Sequence, residues 1–278
     1  MKTRVNFKPG LYFATVFIIS TFFYLAGAYT SFQDGDRGAH MIFLLPGLLT
    51  PFLVSLVLIL SSKQSDYQKE YVNRLVSLKR IRLNMMPALL FLMPLAVLIS
   101  IAISLLFGGS VEQFQISKEF SFSSGFMPVL LLLLIAATFE ELGWRGYAFD
   151  SLQSRYTIFT ASIFFGVLWS LWHLPLVFVK DSYQYEILHQ NFAYALNFFA
   201  GIVPLGVITT WVWLKNRKSI LIAILFHLLI NLWNEVFALT QQTKCIESAV
   251  LVLFAVAIII YDKKLFFSRK EILGRIDR

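Results

Sequence analysis

The sequence predicts an all-α polytopic membrane protein, a bundle of about eight transmembrane helices with one amphipathic helix lying in the membrane interface. Three observations carry that expectation. Hydrophobic residues make up 58% of the 278 residues and charged ones only 14%, with 28 phenylalanines, where a soluble domain holds roughly half and roughly a quarter; the mean hydropathy is +0.70. Eight apolar stretches each approach the ~20 residues that cross a bilayer core. Finally, the basic residues alternate sides: 20 fall on one set of connections and 4 on the other, and the positive-inside rule places the richer set in the cytoplasm. The net charge of +8 is thereby explained as topology, and no nucleic-acid partner is expected.

Taken in order, the spans are expected at residues 11–29, 41–60, 87–107, 126–147, 157–179, 192–214, 219–239 and 246–261. The cytoplasmic connections are the N-terminus (Lys2, Arg4, Lys8), the 63–82 loop, the region of Arg145 and Arg155, the 215–218 loop and the C-terminal tail; Arg37, Lys118, Lys180 and Lys244 lie on the other side. The first span follows Lys2 and Arg4 and ends in "LAGA", which is also how a cleavable signal peptide reads; it is expected to be retained. In residues 63–86, Tyr67, Tyr71, Leu75, Leu78 and Ile81 recur at three- or four-residue steps with basic residues between them, the pattern of an interfacial amphipathic helix; a solvated cytoplasmic helix is the plainer alternative. The whole chain, 1–278, is read as one integral-membrane domain with a catalytic core at about 126–239. The single cysteine, Cys245, excludes an internal disulfide and any multi-cysteine metal site.

Ionisable side chains inside spans are costly and face an interior or a watery cavity, so each is a candidate for function. They cluster on three helices: Glu140, Glu141 and Arg145 in the fourth span, His173 in the fifth, His227 and Asn231 in the seventh. Glu141 and Arg145, four apart, share a helix face and can pair. Glu140 points about 100° away and needs a partner elsewhere. Ser162, Gly166, Trp169, Ser170 and His173 form a broad face whose small residues let a neighbouring helix approach. His227, Asn231, Asn234 and Glu235 form a stripe, with His227 and Asn231 one turn apart as two donors aimed at one oxygen would be. Helix-packing ion pairs, interhelical histidine bonds or a transport pathway would use the same residue types. By these boundaries Glu140 and His227 lie about 10–15 Å from the cytoplasmic ends of their spans, and His173 lies deeper.

The motifs "EELGWR" (residues 140–145), "WSLWH" (169–173) and "HLLIN" (227–231) resemble, in order, the Glu-Glu-x-x-x-Arg, Phe-x-x-x-His and His-x-x-x-Asn elements of the type II CAAX prenyl endopeptidases, the Ras-converting enzymes, and of their wider ABI/CPBP intramembrane protease family. The likeness spans about residues 126–239 and is nearest to microbial homologues. Trp169 departs from the usual Phe, which bears on the shape of the substrate pocket. The resemblance implies an endopeptidase that removes the last three residues of a prenylated Cys-a-a-X terminus. Its partners would be that prenylated protein and the bilayer, because a prenyl chain partitions into lipid. The membrane would be the cell membrane in a prokaryote or the endoplasmic reticulum in a eukaryote, with both termini and the opening of the site cytoplasmic.

Within that family, Glu140 with His173 would activate a water, His227 and Asn231 would hold the oxyanion, and Glu141 with Arg145 would support the fourth helix. No cofactor is expected. The alternative chemistry is zinc held by Glu140, His173 and His227, a His₂Glu set with an open position. A proton-coupled transporter or a non-proteolytic membrane scaffold would use the same cluster for other ends.

Overall fold

A computed structural model describes residues 5–33, 38–62, 64–117 and 129–267, all of them helical or connecting, with no strand among the described residues beyond the isolated bridge Ile116–Phe237. Lys2, Arg4, Arg37, Lys63, Lys118, the tail residues Arg269, Lys270, Arg275 and Arg278, and the first three residues of the expected fourth span lie outside the described residues. The helices are α1 (Pro9–Ser31), α2 (Met41–Ser61), α3 (Ser65–Val76), α4 (Met86–Leu105), α5 (Val129–Gly143), α6 (Phe149–Gln153), α7 (Ile158–Trp172), α8 (Tyr183–Gln190), α9 (Phe192–Lys215), α10 (Ile220–Val236), α11 (Gln241–Tyr261) and α12 (Lys263–Phe267). Among the described residues, six segments are long and apolar enough to cross a membrane: α1, α2, Leu83–Leu105, Ile158–Phe178, α9 and α11. The described part of α5 and the 17 residues of α10 fall short of that length, and these two helices carry most of the candidate polar residues. The protein is an all-α integral membrane protein.

Packing follows the small and imino residues. Pro51 inside α2 has no N–H to give Gly47, four residues back. Ser20 on α1 takes the freed Gly47 carbonyl at 3.1 Å, and Tyr12 bonds the Pro51 carbonyl itself at 3.1 Å. On the other side of α2, Gly143 lets α5 come so close that a Cβ there would stand 2.4 Å from the Pro51 carbonyl carbon. The small face expected on the fifth span behaves likewise. A Cβ on Gly166 of α7 would meet Val203 of α9 at 2.9 Å, and Ser170 donates across the same joint to the Phe199 carbonyl at 2.8 Å.

The fourth span is not one α-helix. Between α5 and α6 the chain makes a π turn, Trp144–Ala148, and then continues to Gln153. A π turn breaks the regular hydrogen-bond ladder, and side chains fill in for it. Leu142 O accepts from Ser55 at 3.2 Å and Tyr71 at 3.4 Å, and Gly146 O accepts from Tyr67 at 2.9 Å. Two of these donors come from α3. The helix expected over 63–86 therefore ends at Val76, with short 3₁₀ turns at Leu78–Arg80 and Leu83–Met85, and its tyrosine face is turned onto the π turn, while Leu78 is exposed.

The same face carries Arg74, which joins α3 to α6 through Asp150. Lys218 reaches Asp150 at 2.6 Å, and Glu70 pairs with Arg74 at 3.1 Å and Arg80 at 2.7 Å. Burial alone would raise the Asp150 carboxyl, but Arg74 and Lys218 override it and hold the group down to about 2. The network also steadies an unusual loop, since Arg217 and Lys218 both have positive φ, 52° and 60°, which costs energy outside glycine. Arg80 bonds the Arg217 carbonyl at 2.6 Å and Arg217 bonds the Lys79 carbonyl at 3.0 Å.

Candidate active site

Glu140 and Glu141 sit in the last turn of α5, just before the π turn, and both are buried. Their neighbours differ, as the helical angle between them requires. Arg145 Nη1 lies 3.1 Å from both oxygens of Glu141 and is aligned as a donor to Oε1. The guanidinium is stacked 4.3 Å above the Phe165 ring, a cation–π contact that partly replaces its water. Glu140 finds its partners in two indoles. Trp144 Nε1 donates to Oε2 at 3.2 Å, and Trp169 Nε1 donates to the same oxygen at 2.8 Å. Trp169, expected to shape a substrate pocket, is itself buried and turned onto the carboxylate.

His173 closes α7 as its C-cap, with Pro175 two residues on; a proline disfavours helix before it, so the expected 157–179 helix stops at Trp172 and a 3₁₀ turn, Leu174–Phe178, follows. His173 is half-buried, and its Nδ1 lies 2.8 Å from the Trp169 carbonyl. A carbonyl only accepts, so Nδ1 carries the proton and Nε2 of the neutral ring keeps its lone pair. His227, buried on α10, has Nδ1 3.0 Å from Glu141 Oε1. A carboxylate also only accepts, so Nε2 can donate only from the doubly protonated ring, for which Glu141 supplies the counter-charge. The His227 and Trp169 rings meet edge-to-face, 5.2 Å between centroids.

Glu140, His173 and His227 thus converge on one residue, Trp169, from three helices. Asn231 lies one turn beyond His227 on α10, half-buried, and is not bonded to the other three among the described residues. Asn234 of the α10 stripe serves another joint, donating to Glu247 of α11 at 3.3 Å. Ser170 is committed to Phe199 and is not placed as a nucleophile. The expected difference in depth between Glu140 and His173 disappears, while His227 stays about 10 Å from the start of α10. The helical path beyond Glu140 runs on to Gln153, and His173 lies at the far end of α7 from Ile158, so at 1.5 Å per residue both stand roughly 20 Å from the connection between α6 and α7.

As placed, Glu140, His173 and His227 do not form a metal-holding group, since among the described residues no three His, Cys, Asp or Glu side chains do so. Trp144 was not singled out in the sequence, and Tyr67 and Tyr71 were read there only as part of an amphipathic face. For Trp144 the signal was present, an indole four residues after Glu140 and hence on its face.

The profile of the family described as type II CAAX prenyl endopeptidase, Rce1-like, matches residues 122–233. CAAX prenyl protease 2 of Methanococcus maripaludis is 55% identical over 269 residues, 97% of this chain and 99% of the relative. The chain belongs to the type II CAAX prenyl endopeptidase family. It is a membrane peptidase of that family, and residues 140–145, 169–173 and 227–231 all lie within the matched segment. A more distant likeness, 23% identity over 195 residues, 70% of this chain and 49% of the relative, links it to lysostaphin resistance protein A of Staphylococcus haemolyticus.

Proposed function

We propose that the protein cleaves prenylated Cys-a-a-X termini after the modified cysteine, releasing the aaX tripeptide, by attack of a water activated by Glu140. The observation that carries this reading is the convergence of Glu140 and His173 on Trp169, with His227 against the same ring. Water bound between the carboxylate and the His173 Nε2 lone pair gives its proton to Glu140 as its oxygen attacks the scissile carbonyl carbon. The negative charge that develops on the carbonyl oxygen is met by the His227 Nε2–H and the Asn231 amide, donors set before the charge appears. As the tetrahedral species collapses, the C–N bond breaks and Glu140 returns the proton to the leaving amine. Glu141 holds His227 in the donating form, and Arg145 balances Glu141. No step is routed through a metal.

The substrate's prenyl chain would lie in lipid beside the bundle. By the positive-inside rule, both termini and the opening of the site would face the cytoplasm. The test is direct: detergent-solubilised protein is incubated with a farnesylated Cys-a-a-X peptide and the tripeptide is followed by mass spectrometry. Release that persists in a folded Glu140→Ala protein rejects the mechanism. A transporter or scaffold releases no tripeptide at all.

A further inference from the structure

The protein has six tryptophans, and their N–H groups are used very differently. Trp213 and Trp233 are packed with Nε1 unpartnered, so burial in this bundle does not of itself find an indole a hydrogen bond. Trp172 donates to Ser20 and Trp211 to Asp262. Trp144 and Trp169 come from separate elements, the π turn and α7, yet both aim at one atom, Glu140 Oε2. Aromatic packing accounts for why they are buried. Trp144 stands 5.6 Å from Trp172 and 6.0 Å from Phe165, and Trp169 stacks at 5.7 Å on Phe165. None of those ring contacts specifies where an N–H points, and a phenylalanine would make them equally well.

We infer that Trp144 and Trp169 are positioning residues, a pair of indole donors that lock the orientation of the Glu140 carboxylate through Oε2 and so leave Oε1 to face the reacting water. The terminal torsion of a glutamate is broad, and one donor would fix it only partly. Two donors on the same oxygen from different directions fix both the torsion and the choice of oxygen. An indole only donates and an ionised carboxylate only accepts, so the lock also matches the charge state that a base needs. Trp169 has a second hold, because its carbonyl fixes the His173 tautomer. One residue thereby sets the geometry of both groups that handle the water's proton. The inference rests on the reading of Glu140 as the base.

The experiment uses the full chain in detergent or nanodiscs. Trp144→Phe and Trp169→Phe are made, and at position 169 also the benzothienyl analogue of tryptophan, which keeps the ring shape and replaces N–H with sulfur. A hydrogen bond to a charged group controls about a tenfold effect, so each change is expected to lower kcat about tenfold with KM within twofold. In parallel, the indole Nε1–H resonances are assigned by the Phe variants and compared between wild type and Glu140→Leu, a readout that needs no turnover; both are expected to move upfield when the acceptor is lost. A sulfur analogue that keeps kcat within twofold, or resonances that ignore Glu140→Leu, would overturn the inference alone and leave the protease reading standing. Full turnover in Glu140→Leu would overturn the base assignment and the inference with it.

Discussion

Two buried charge clusters lie along the same helical path, and they are finished to different degrees. In the cluster between α3, α6 and the 216–218 loop, Asp150 has a cation on each oxygen, Arg74 has two acidic partners, and both Glu70 oxygens are bonded by Arg80. In the cluster around Glu140, Glu141 and Arg145, pairing is incomplete. Arg145 Nε and Nη2 have no partner, Glu141 Oε2 has no aligned donor, and neither indole engages Glu140 Oε1. A saturated ion network can only hold its elements together. One with spare donors and acceptors can exchange protons with something else, and buried groups left in that condition cost free energy that a purely structural site has no reason to carry. The difference is the one expected between a fastening and the proposed reaction centre, though both would look alike as charges in an apolar sequence.

The comparison can be broken at the reaction centre first. Glu140→Ala, His173→Ala and His227→Ala should each lower tripeptide release by about 10³-fold or more with the protein still folded, as expected for loss of acid–base and electrostatic groups; initial rates on the farnesylated peptide beside a thermal melt check this. Asn231→Ala should cost about 10²-fold in kcat, the scale of one oxyanion donor, and Asn231→Asp should not restore it. At the fastening the sign reverses. Asp150→Asn leaves Lys218 without its anion and Arg74 with Glu70 alone and should cost about 3–5 kcal/mol of stability, while the protein that remains folded keeps a near-normal kcat. That cost should also depend on pH. The Asp150 carboxyl lies at about 2 in the folded protein, below its unfolded value of about 3.9. Its contribution is therefore complete above about pH 4 and is lost as pH falls toward 2, so wild-type and Asp150→Asn melting curves should converge over that window. The smallest effect expected is from a strong chelator, which should leave the peptide assay unchanged; inhibition reversed by zinc would bring back the three-ligand reading.

What the sequence made legible were the features that depend on short spacing. The i, i+4 pairing of Glu141 with Arg145, the close joint at Gly166 and the amphipathic face of Tyr67 and Tyr71 all follow from helical periodicity, and the structure has each of them. Contacts set by how distant helices meet could not be read that way. Glu141 reaches His227 across 86 positions of chain and Trp169 reaches Glu140 across 29, and no local pattern encodes either. The π turn was hidden for another reason. "GWRGYA" is an ordinary continuation of an apolar helix, and side chains donating to the Leu142 and Gly146 carbonyls, the α3 tyrosines among them, reveal that the ladder is interrupted there.

That interruption sets the phase of a shaft. Residues before it deliver Glu140 and Glu141 to the interior; residues after it deliver Asp150 to Arg74 and Lys218. Wound as uninterrupted α-helix, the same residues would swing one end by about 100° against the other, so the chain could aim Glu140 and Glu141 at the interior or keep its anchor engaged, but not both.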